Sequence, residues 1–387
     1  MKTIATFVKN NIHLLEDVTV LNSLNGLPNL LSGRVAVFNK TNIIIVFRDH
    51  LGDDSDFLSP IPMPGNDRYN DLIKYIQAHP DQKFWIFSGI FNLNQIEKTL
   101  SNVKVIDWTE EMFQIDGCHY ITITPQREKN FKSEKHWINL SQNKRIHRQL
   151  IAMYLLGENL DQTGLLKFDP SELFEHESWD SYVGYWKHNN REKEITQILS
   201  YSDTFKTGFY KVKNYHGYER NQYQNATDLE TKIFDAGQYH KNFEIFLKPL
   251  YRNSVIEIVS ETIFMREYGI ISEKFLNSVY GFNLPIILNV AGAVKKLRSI
   301  GFDMFDSVID HSYDLITDPI PRLIHALESN KSLLENSDLA RDSWKKCLPG
   351  LEHNFQLAQE LERNLESTFK SHLIQINNAT RLESKFG

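Results

Sequence analysis

Cysteine is scarce in this chain of 387 residues. The two that are present, Cys118 and Cys347, lie far apart and have no companion at the spacing of metal ligands. We therefore expect neither a disulfide framework nor a zinc knuckle, and a reducing compartment fits this cysteine usage best.

Long apolar runs are also lacking. The most apolar stretches, residues 43–47 and 284–294, are far shorter than the roughly 20 residues that span a bilayer. The first residues, MKTIATFVKN, have no continuous apolar core of the kind found in signal sequences. The sequence thus predicts a cytoplasmic protein without a membrane span; for a viral protein, this would be the host cytoplasm.

The chain also has no excess of positive charge. The chain has 43 Lys and Arg residues against 49 Asp and Glu residues, which gives a net charge of -6. The molecule as a whole is therefore no cationic binder of nucleic acid or membranes, and any basic site must be local. Its 41% hydrophobic and 24% charged residues are typical of a globular protein, and its length predicts two to three domains.

Short β-branched runs alternate with helical patterns in two parts of the chain. In the first part, the predicted strands are residues 34–38, 42–47, 83–87 and 103–108. In the second part, they are residues 136–140, 254–261 and 284–290. Strand, helix and strand at this spacing indicate βαβ units and largely parallel sheets. We predict an α/β fold with domains at 1–135 and 136–345, an irregular aromatic-rich segment at 160–250, and a C-terminal helix within 346–387.

One predicted helix, which starts near residue 144, opens with positive charge. Ser141 or Asn143 can cap it, and its opening turn carries Lys144, Arg145, His147 and Arg148. A helix N-terminus disfavours cations by up to about 1 kcal/mol each, so this clustering is explained if an anion such as a diphosphate binds there. The alternative is a solvated basic turn.

A second predicted helix begins with Ser272 as its N-cap, followed by Glu273 and Lys274. A buried strand follows directly, which places the three residues near the carboxyl edge of a parallel sheet, where open α/β sheets bind ligands. An ordinary helix cap is the alternative for this tripeptide.

Both segments resemble one family. The block from Ser260 to Asp314, with EYGIISEKFLNSVYGFNLPIIL, LRSIGFDMF and DHSYD, is similar to the donor-binding half of glycosyltransferases common in tailed viruses and some bacteria. Its Ser-Glu-Lys is also similar to the Ser/Thr-Glu-Lys donor motif of fucosyltransferases. The upstream NLSQNKRIHRQLIAMYLLGENL resembles the arginine-rich stretch that precedes this block in the group.

The resemblance implies a GT-B fold, in which two facing Rossmann-like domains hold a nucleotide-sugar, such as a UDP- or GDP-linked sugar. By this resemblance, Glu273 would accept hydrogen bonds from the donor ribose and Lys274 would pair with the diphosphate. Arg145 and Arg148 would complete a cationic clamp. Lys144 stands where an arginine is more usual, which matters for a bidentate contact.

The implied reaction transfers a sugar to an acceptor hydroxyl. The predicted donor half has no Asp-x-Asp motif, so no metal or cofactor is expected, and cations and helix dipoles would stabilise the leaving diphosphate. Asp49, in FRDHLGDDSD after the strand at 42–47, is the preferred catalytic base for inverting transfer, with an acidic surface loop as the alternative. The stereochemistry stays open.

We expect the acceptor to bind at the aromatic and basic segment 201–223. The candidate binding residues there are Lys206, Tyr210, Lys211 and Lys213. A second basic run, 127–148, holds seven Lys and Arg residues against two Glu residues. Such segments can bind DNA, and a hydroxymethylated pyrimidine base in viral DNA would have to be flipped into the cleft. Half-buried elements with solvated faces are the alternative for both segments.

Other functions stay open at this point. The acceptor is otherwise a glycan or lipopolysaccharide. A non-catalytic nucleic-acid or glycan binder on a degenerate transferase fold, and a different nucleotide-dependent enzyme, are the remaining alternatives. Trp179, Tyr182, Tyr185 and Trp186 follow an amphipathic period and are assigned to the core.

Overall fold

A computed structural model gives the fold of this protein. The residues that it describes are 19–21, 36–38, 42–47, 74–88, 97–98, 100–107, 123–141, 145–168, 176–188, 191–213, 215, 243–261, 264–265 and 269–383. The chain divides into two compact units, which comprise residues 1–53, 62–121 and 359–387 in the first and 54–61 and 122–358 in the second. The domain boundaries expected from the sequence, and the GT-B arrangement, stay predictions.

The first unit contains a mixed five-stranded sheet in the order β1-β2-β3-β4-β5. Its strands are β1 (Thr19–Leu21), β2 (Ala36–Phe38), β3 (Asn42–Phe47), β4 (Lys83–Ser88) and β5 (Val103–Asp107). The pairs β3–β4 and β4–β5 are parallel, whereas β1–β2 and β2–β3 are antiparallel. Only three residues separate β2 from β3, which is too short for the crossover that a parallel pair needs. The expected parallel arrangement therefore holds for β3 to β5 alone.

The second unit contains a wholly parallel sheet in the order β7-β6-β8-β9. Its strands are β6 (Trp137–Ser141), β7 (Gly164–Phe168), β8 (Ile256–Ser260) and β9 (Leu284–Leu288). Every residue of β8 and β9 is buried, as the continuous apolar runs in the sequence indicate.

Helices cover this sheet and form the C-terminal part of the chain. They are α1 (Ile146–Gly157), α2 (Trp179–His188), α3 (Glu192–Leu199), α4 (Ser202–Lys213), α5 (Lys248–Arg252), α6 (Glu273–Gly281), α7 (Ala293–Ile300), α8 (Pro319–Ser329), α9 (Lys331–Glu335), α10 (Ser337–Lys346) and α11 (Leu348–Glu383). The protein is thus a mixed α/β protein that ends in a long helix. In the described part of the chain, no helix has the length and apolar character that crossing a membrane requires.

The strand order of the second sheet reverses between β6 and β8. From β6 the chain passes through α1 to β7 on one side, and it later returns to place β8 on the other side of β6. The connections that leave the carboxyl ends of β6 and β8 therefore run in opposite directions. Such a reversal opens a crevice at the carboxyl edge of the sheet, where open α/β sheets bind ligands.

The prediction of an irregular segment at 160–250 is wrong for its described residues, which form β7 and the helices α2 to α5. These helices are short, and each buries few side chains. In α3, for example, only Ile195 and Ile198 are buried. A window over so few apolar positions shows no sustained period, so the sequence pattern indicated only the aromatic face of α2 and not α3 to α5.

The aromatic cluster of α2 confirms a prediction. Trp179, Tyr182 and Trp186 are buried and lie at helical spacing, with Tyr185 half-buried beside them. The Tyr182 ring contacts those of Trp179, Trp186 and Phe209 of α4, with Tyr182 and Trp186 at a centroid distance of 6.0 Å. These residues therefore form core.

The helices α1 and α4 pack closely because Gly208 has no side chain. A Cβ atom on Gly208 would lie 1.8 Å from the carbonyl oxygen of Met153 in α1. Gly184, in α2, has no atom within 4 Å of the same position. The two glycines thus differ in steric environment while both lie inside helices.

We expect Gly208→Ala to lower the free energy of unfolding by about 1–3 kcal/mol, because the helices must separate to admit the methyl group. The control Gly184→Ala should raise it by about 0.5–1 kcal/mol, since alanine is the better helix former and the space is open. Urea denaturation of both variants measures the difference. Equal effects of the two substitutions would contradict this description of the α1–α4 contact.

Candidate functional site

The carboxyl end of β6 is tied to that of β8 by buried side chains. Asn139 donates hydrogen bonds from Nδ2 to the carbonyl oxygen of Ile258 at 2.6 Å and to Oγ of Ser260 at 2.8 Å. Ser141 donates to Oδ1 of Asn139 at 2.8 Å, so its hydroxyl is bound within the strand. The N-cap of α1 is Arg145, with no side-chain cap hydrogen bond, so the expected capping by Ser141 is wrong, and Asn143, the other expected cap, lies outside the described residues.

His147 and Arg148, in the first turn of α1, face the end of β8. Nε2 of His147 donates to the carbonyl oxygen of Glu261 at 3.0 Å, and Nη2 of Arg148 lies 3.5 Å from the carbonyl oxygen of Ser260. Both residues are almost completely buried, at 0% and 2% exposure. The alternative of a solvated turn does not hold for them.

His147 is held as a neutral imidazole. Burial, together with the positive charges of Arg148 and Arg145, lowers the pKa of His147 well below its usual value. A carbonyl oxygen only accepts hydrogen bonds, so Nε2 carries the proton of the neutral ring. The ring also stacks on Phe264, at a centroid distance of 5.3 Å.

The start of α6 is bound to the same glutamate. Ser272 is the N-cap, as expected, and its Oγ accepts from the main-chain N–H of Lys274. The buried carboxylate of Glu261 accepts from the main-chain N–H of Ser272 at 3.1 Å and from the Ser272 hydroxyl. Burial raises the pKa of Glu261, against the lowering effects of Lys274 and Ser272.

Glu273 and Lys274 form an ion pair that is partly open to solvent. Nζ of Lys274 lies 3.4 Å from Oε1 of Glu273, and the two side chains are 20% and 18% exposed. Burial acts to raise the pKa of Glu273, but the charge of Lys274 and the hydrogen bonds to the carboxylate outweigh it, so the pKa is lowered. Glu273 is therefore a carboxylate at neutral pH and accepts hydrogen bonds only.

The two sequence segments that resemble the donor-binding half meet at Glu261. Its carbonyl oxygen binds the start of α1 and its carboxylate binds the start of α6. The structure thus places the predicted donor residues Arg145, Arg148, Ser272, Glu273 and Lys274 at one edge of one sheet. Arg145, Arg148 and Lys274 lie near enough to His147 for their charges to lower its pKa, so positive charge from both helix starts is concentrated at this edge.

The start of α7 is occupied by a carboxylate of the protein itself. Asp314 accepts from the main-chain N–H of Val294 at 3.1 Å and of Lys295 at 3.0 Å. The first turn of α1 contains no acidic residue. Among the described helices that begin at the carboxyl edge of the second sheet, α1 therefore differs from α6 and α7.

Arg322 of α8 is a buried residue that the sequence interpretation did not single out. Its guanidinium donates four hydrogen bonds of 2.8 Å to the main-chain carbonyl oxygens of Phe264, Asn289, Ile316 and Thr317. It thereby fixes the loop after β8, the loop after β9 and the loop before α8. Burial lowers the pKa of Arg322 to about 10, which leaves it charged at neutral pH. One arginine in an amphipathic helix gives no sequence signal for this role.

The DHSYD run has a structural role in the described contacts. The Tyr313 hydroxyl accepts from the main-chain N–H of Ile287 in β9, and Nε2 of His311 donates to the carbonyl oxygen of Met304 at 2.7 Å. Asp314 caps α7, as described above. The residues of this run therefore support the loops around the site.

The candidate acceptor residues do not form a row of stacking faces. Lys206 and Tyr210 are exposed on α4, and the side chain of Lys213 lies outside the described residues. Lys211 donates from Nζ to the carbonyl oxygen of Leu156 at 3.0 Å and to Oδ1 of Asn159, which satisfies the C-terminal end of α1. The interleaved rings of Phe205 and Phe209 are completely buried.

Several of the Lys and Arg side chains in the basic run at 127–148 form contacts within the protein. Arg127 makes a bidentate pair with Glu352, with N–O distances of 2.8 and 3.0 Å. Lys129 is half-buried and donates to the carbonyl oxygens of Tyr251 and Gly281 at 2.8 and 2.7 Å. The described residues of this run therefore form no continuous basic surface.

Asp49 and Lys144 lie outside the described residues, so the predicted base has no described geometry. In the part of the chain that is described, no group of three or more His, Cys, Asp or Glu side chains has the arrangement of a metal site.

No family model, curated protein or solved structure gives a significant match to this chain.

Glu257 is a second buried carboxyl on β8, four residues before Glu261. It accepts a hydrogen bond from the Tyr251 hydroxyl at 2.9 Å. Burial raises the pKa of Glu257 to about 8, and the charges of Lys129 and Lys274 only partly oppose this. Glu257 therefore keeps its proton at neutral pH in the folded protein and loses it on unfolding.

We predict that the free energy of unfolding falls between about pH 5 and pH 8 through this group, by on the order of 1 kcal/mol per pH unit. The folded pKa is raised, so in this range the folded state binds a proton that the unfolded state releases. In Glu257→Gln this contribution is absent, and its stability relative to the native sequence should rise across the range. Urea denaturation at pH 5, 6.5 and 8 measures this, with Glu360→Gln on the exposed face of α11 as control. Parallel pH profiles for Glu257→Gln and the native chain would contradict the assignment.

Proposed function

We propose that this protein is a glycosyltransferase that binds a nucleotide-sugar at the carboxyl edge of the second sheet, between β6 and β8. The observation that carries the proposal is the meeting of the α1 and α6 starts at Glu261, which brings Arg145, Arg148 and Lys274 to the strand-order reversal. This is where an open α/β sheet binds ligands, and the cations supply the affinity for a diphosphate.

The start of α1 suits an external anion best. The first N–H groups of α6 and α7 are bound by Glu261 through Ser272 and by Asp314, whereas the first turn of α1 combines a basic N-cap with no acidic residue. A diphosphate there would compensate the unfavourable interaction between Arg145, Arg148 and the helix dipole.

The other residues take complementary roles in this proposal. Lys274 pairs with the diphosphate, and the ionised carboxylate of Glu273 accepts hydrogen bonds from the ribose hydroxyls. Negative charge grows on the diphosphate as the bond between the sugar carbon and its oxygen breaks, and Arg145, Arg148 and Lys274 stabilise that charge. His147, as a neutral hydrogen-bond donor, holds the backbone of Glu261 in place.

The acceptor hydroxyl attacks the sugar carbon while the diphosphate leaves, and a base takes the hydroxyl proton. Asp49 is the proposed base. The proposed alternatives for the acceptor are a glycan and a hydroxymethylated base in DNA. The described residues of 201–223 give no support to the DNA acceptor, since Phe205 and Phe209 are buried and Lys211 binds the end of α1.

Lys274→Ala should weaken the binding of UDP or GDP by about 10- to 100-fold, because it removes a charge-assisted hydrogen bond worth roughly 1.5–3 kcal/mol. Titration calorimetry with both nucleotides measures the loss. Lys346→Ala, an exposed lysine at the end of α10, is the matched control and should bind as the native chain does. Unchanged affinity in Lys274→Ala would overturn the proposed site.

Catalysis is tested separately from binding. The native protein should release nucleoside diphosphate from one member of a nucleotide-sugar panel, slowly with water and faster with an acceptor, and Asp49→Asn should bind the donor without transfer. Nucleotide binding without release from any donor would favour the non-catalytic alternative. Asp49→Asn with full transfer activity would move the base elsewhere.

A further inference from the structure

A groove of about 770 Å³ lies in the second unit, away from the proposed nucleotide site. Its walls are the last turn of α1, the turn before β7 and one face of α4. Arg148 lies at the start of α1 and Leu156 at its end, so about 12 Å along the helix axis separates the two places. The volume falls in the range of small-molecule sites.

Two tyrosines, Tyr210 and Tyr215, line the groove. Tyr210 is 44% exposed, and its hydroxyl accepts from the main-chain N–H of Trp179 at 3.4 Å. The Tyr215 hydroxyl donates to the carbonyl oxygen of Leu166 at 3.3 Å. Since the hydroxyl end of each tyrosine is bound to main chain, both rings are held in place within the groove.

Apart from Leu156, the rest of the lining is polar. Asn159, Asp161 and Gln162 follow α1 and contribute two amides and a carboxylate. Asn159 has a left-handed backbone with φ of 59°, and Lys211 holds it there by donating to its Oδ1. This conformation is uncommon outside glycine, and the lysine contact compensates for its cost.

We propose that this groove binds carbohydrate. Sugars combine apolar C–H faces, which pack on aromatic rings, with hydroxyls that bind amides and carboxylates, and the lining offers both. One aspartate and one lysine give it no net charge, and Lys211 already bonds to α1, so a polyphosphate chain is the poorer match. An apolar peptide also fits poorly, because the aliphatic lining residue Leu156 is only 2% exposed.

The carbohydrate site is independent of sugar transfer. If the proposed function holds, the distance along α1 lets the groove bind a glycan acceptor away from its reacting hydroxyl. If it fails, the groove still predicts a glycan-binding protein.

The test uses the full chain on an array of neutral and charged oligosaccharides, with a 20-nucleotide single-stranded DNA as the competing ligand. The native protein should retain at least one neutral glycan. Tyr210→Ala should bind it about tenfold more weakly, the upper range for loss of one aromatic contact. Tyr201→Ala, a comparably exposed tyrosine just before α4 and outside the groove, should bind normally. Equal thermal denaturation of both variants shows that the fold is retained.

The site variants separate this proposal from the previous one. Lys274→Ala should keep glycan binding, and Tyr210→Ala should keep UDP or GDP binding. Three outcomes would overturn the groove assignment: no glycan retained above the level of Tyr210→Ala, glycan binding lost in Lys274→Ala, or DNA binding that Tyr210→Ala abolishes.

Discussion

The buried glutamate at the end of β8 is the residue on which the proposed nucleotide site depends. Glu261 binds α1 through its carbonyl oxygen and α6 through its carboxylate, so one residue sets the distance between two helix starts. A buried carboxylate is costly unless it is hydrogen-bonded, and Ser272 provides two donors. The requirement to satisfy Glu261 thus brings the Ser-Glu-Lys turn to the sheet edge.

Electrostatics and packing at this edge reinforce each other. Arg145 and Arg148 help to keep His147 neutral, and the neutral ring can then stack on Phe264 without the cost of a second buried charge. Arg322 also contacts Phe264, with its guanidinium 4.8 Å from the ring. Glu261 and Phe264, which follow β8, are therefore held from α1 and from α8 at once, and such preorganisation suits the proposed anion site.

Several charged or aromatic segments that look like binding surfaces in the sequence have internal roles. Arg127 and Lys129 in the basic run bind Glu352 and main-chain carbonyls, and Lys211 satisfies the end of α1. Phe205 belongs to the packing between helices. A count of charges along the chain does not distinguish a solvated cation from one that satisfies a buried carbonyl, because that distinction depends on partners distant in sequence.

The sequence by itself determined seven of the nine described strands, the helix start at Ser272 and the aromatic core of α2, because apolar periodicity and capping are local; it missed β1 and β7. It also marked Arg148 and Lys274 as cations at helix starts. Only the tertiary structure decided that those starts meet at Glu261, that Arg322 fixes the loops around them, and that the polar groove lies at the far end of α1. Those features depend on the order of the strands in the sheet, which local sequence preferences do not specify.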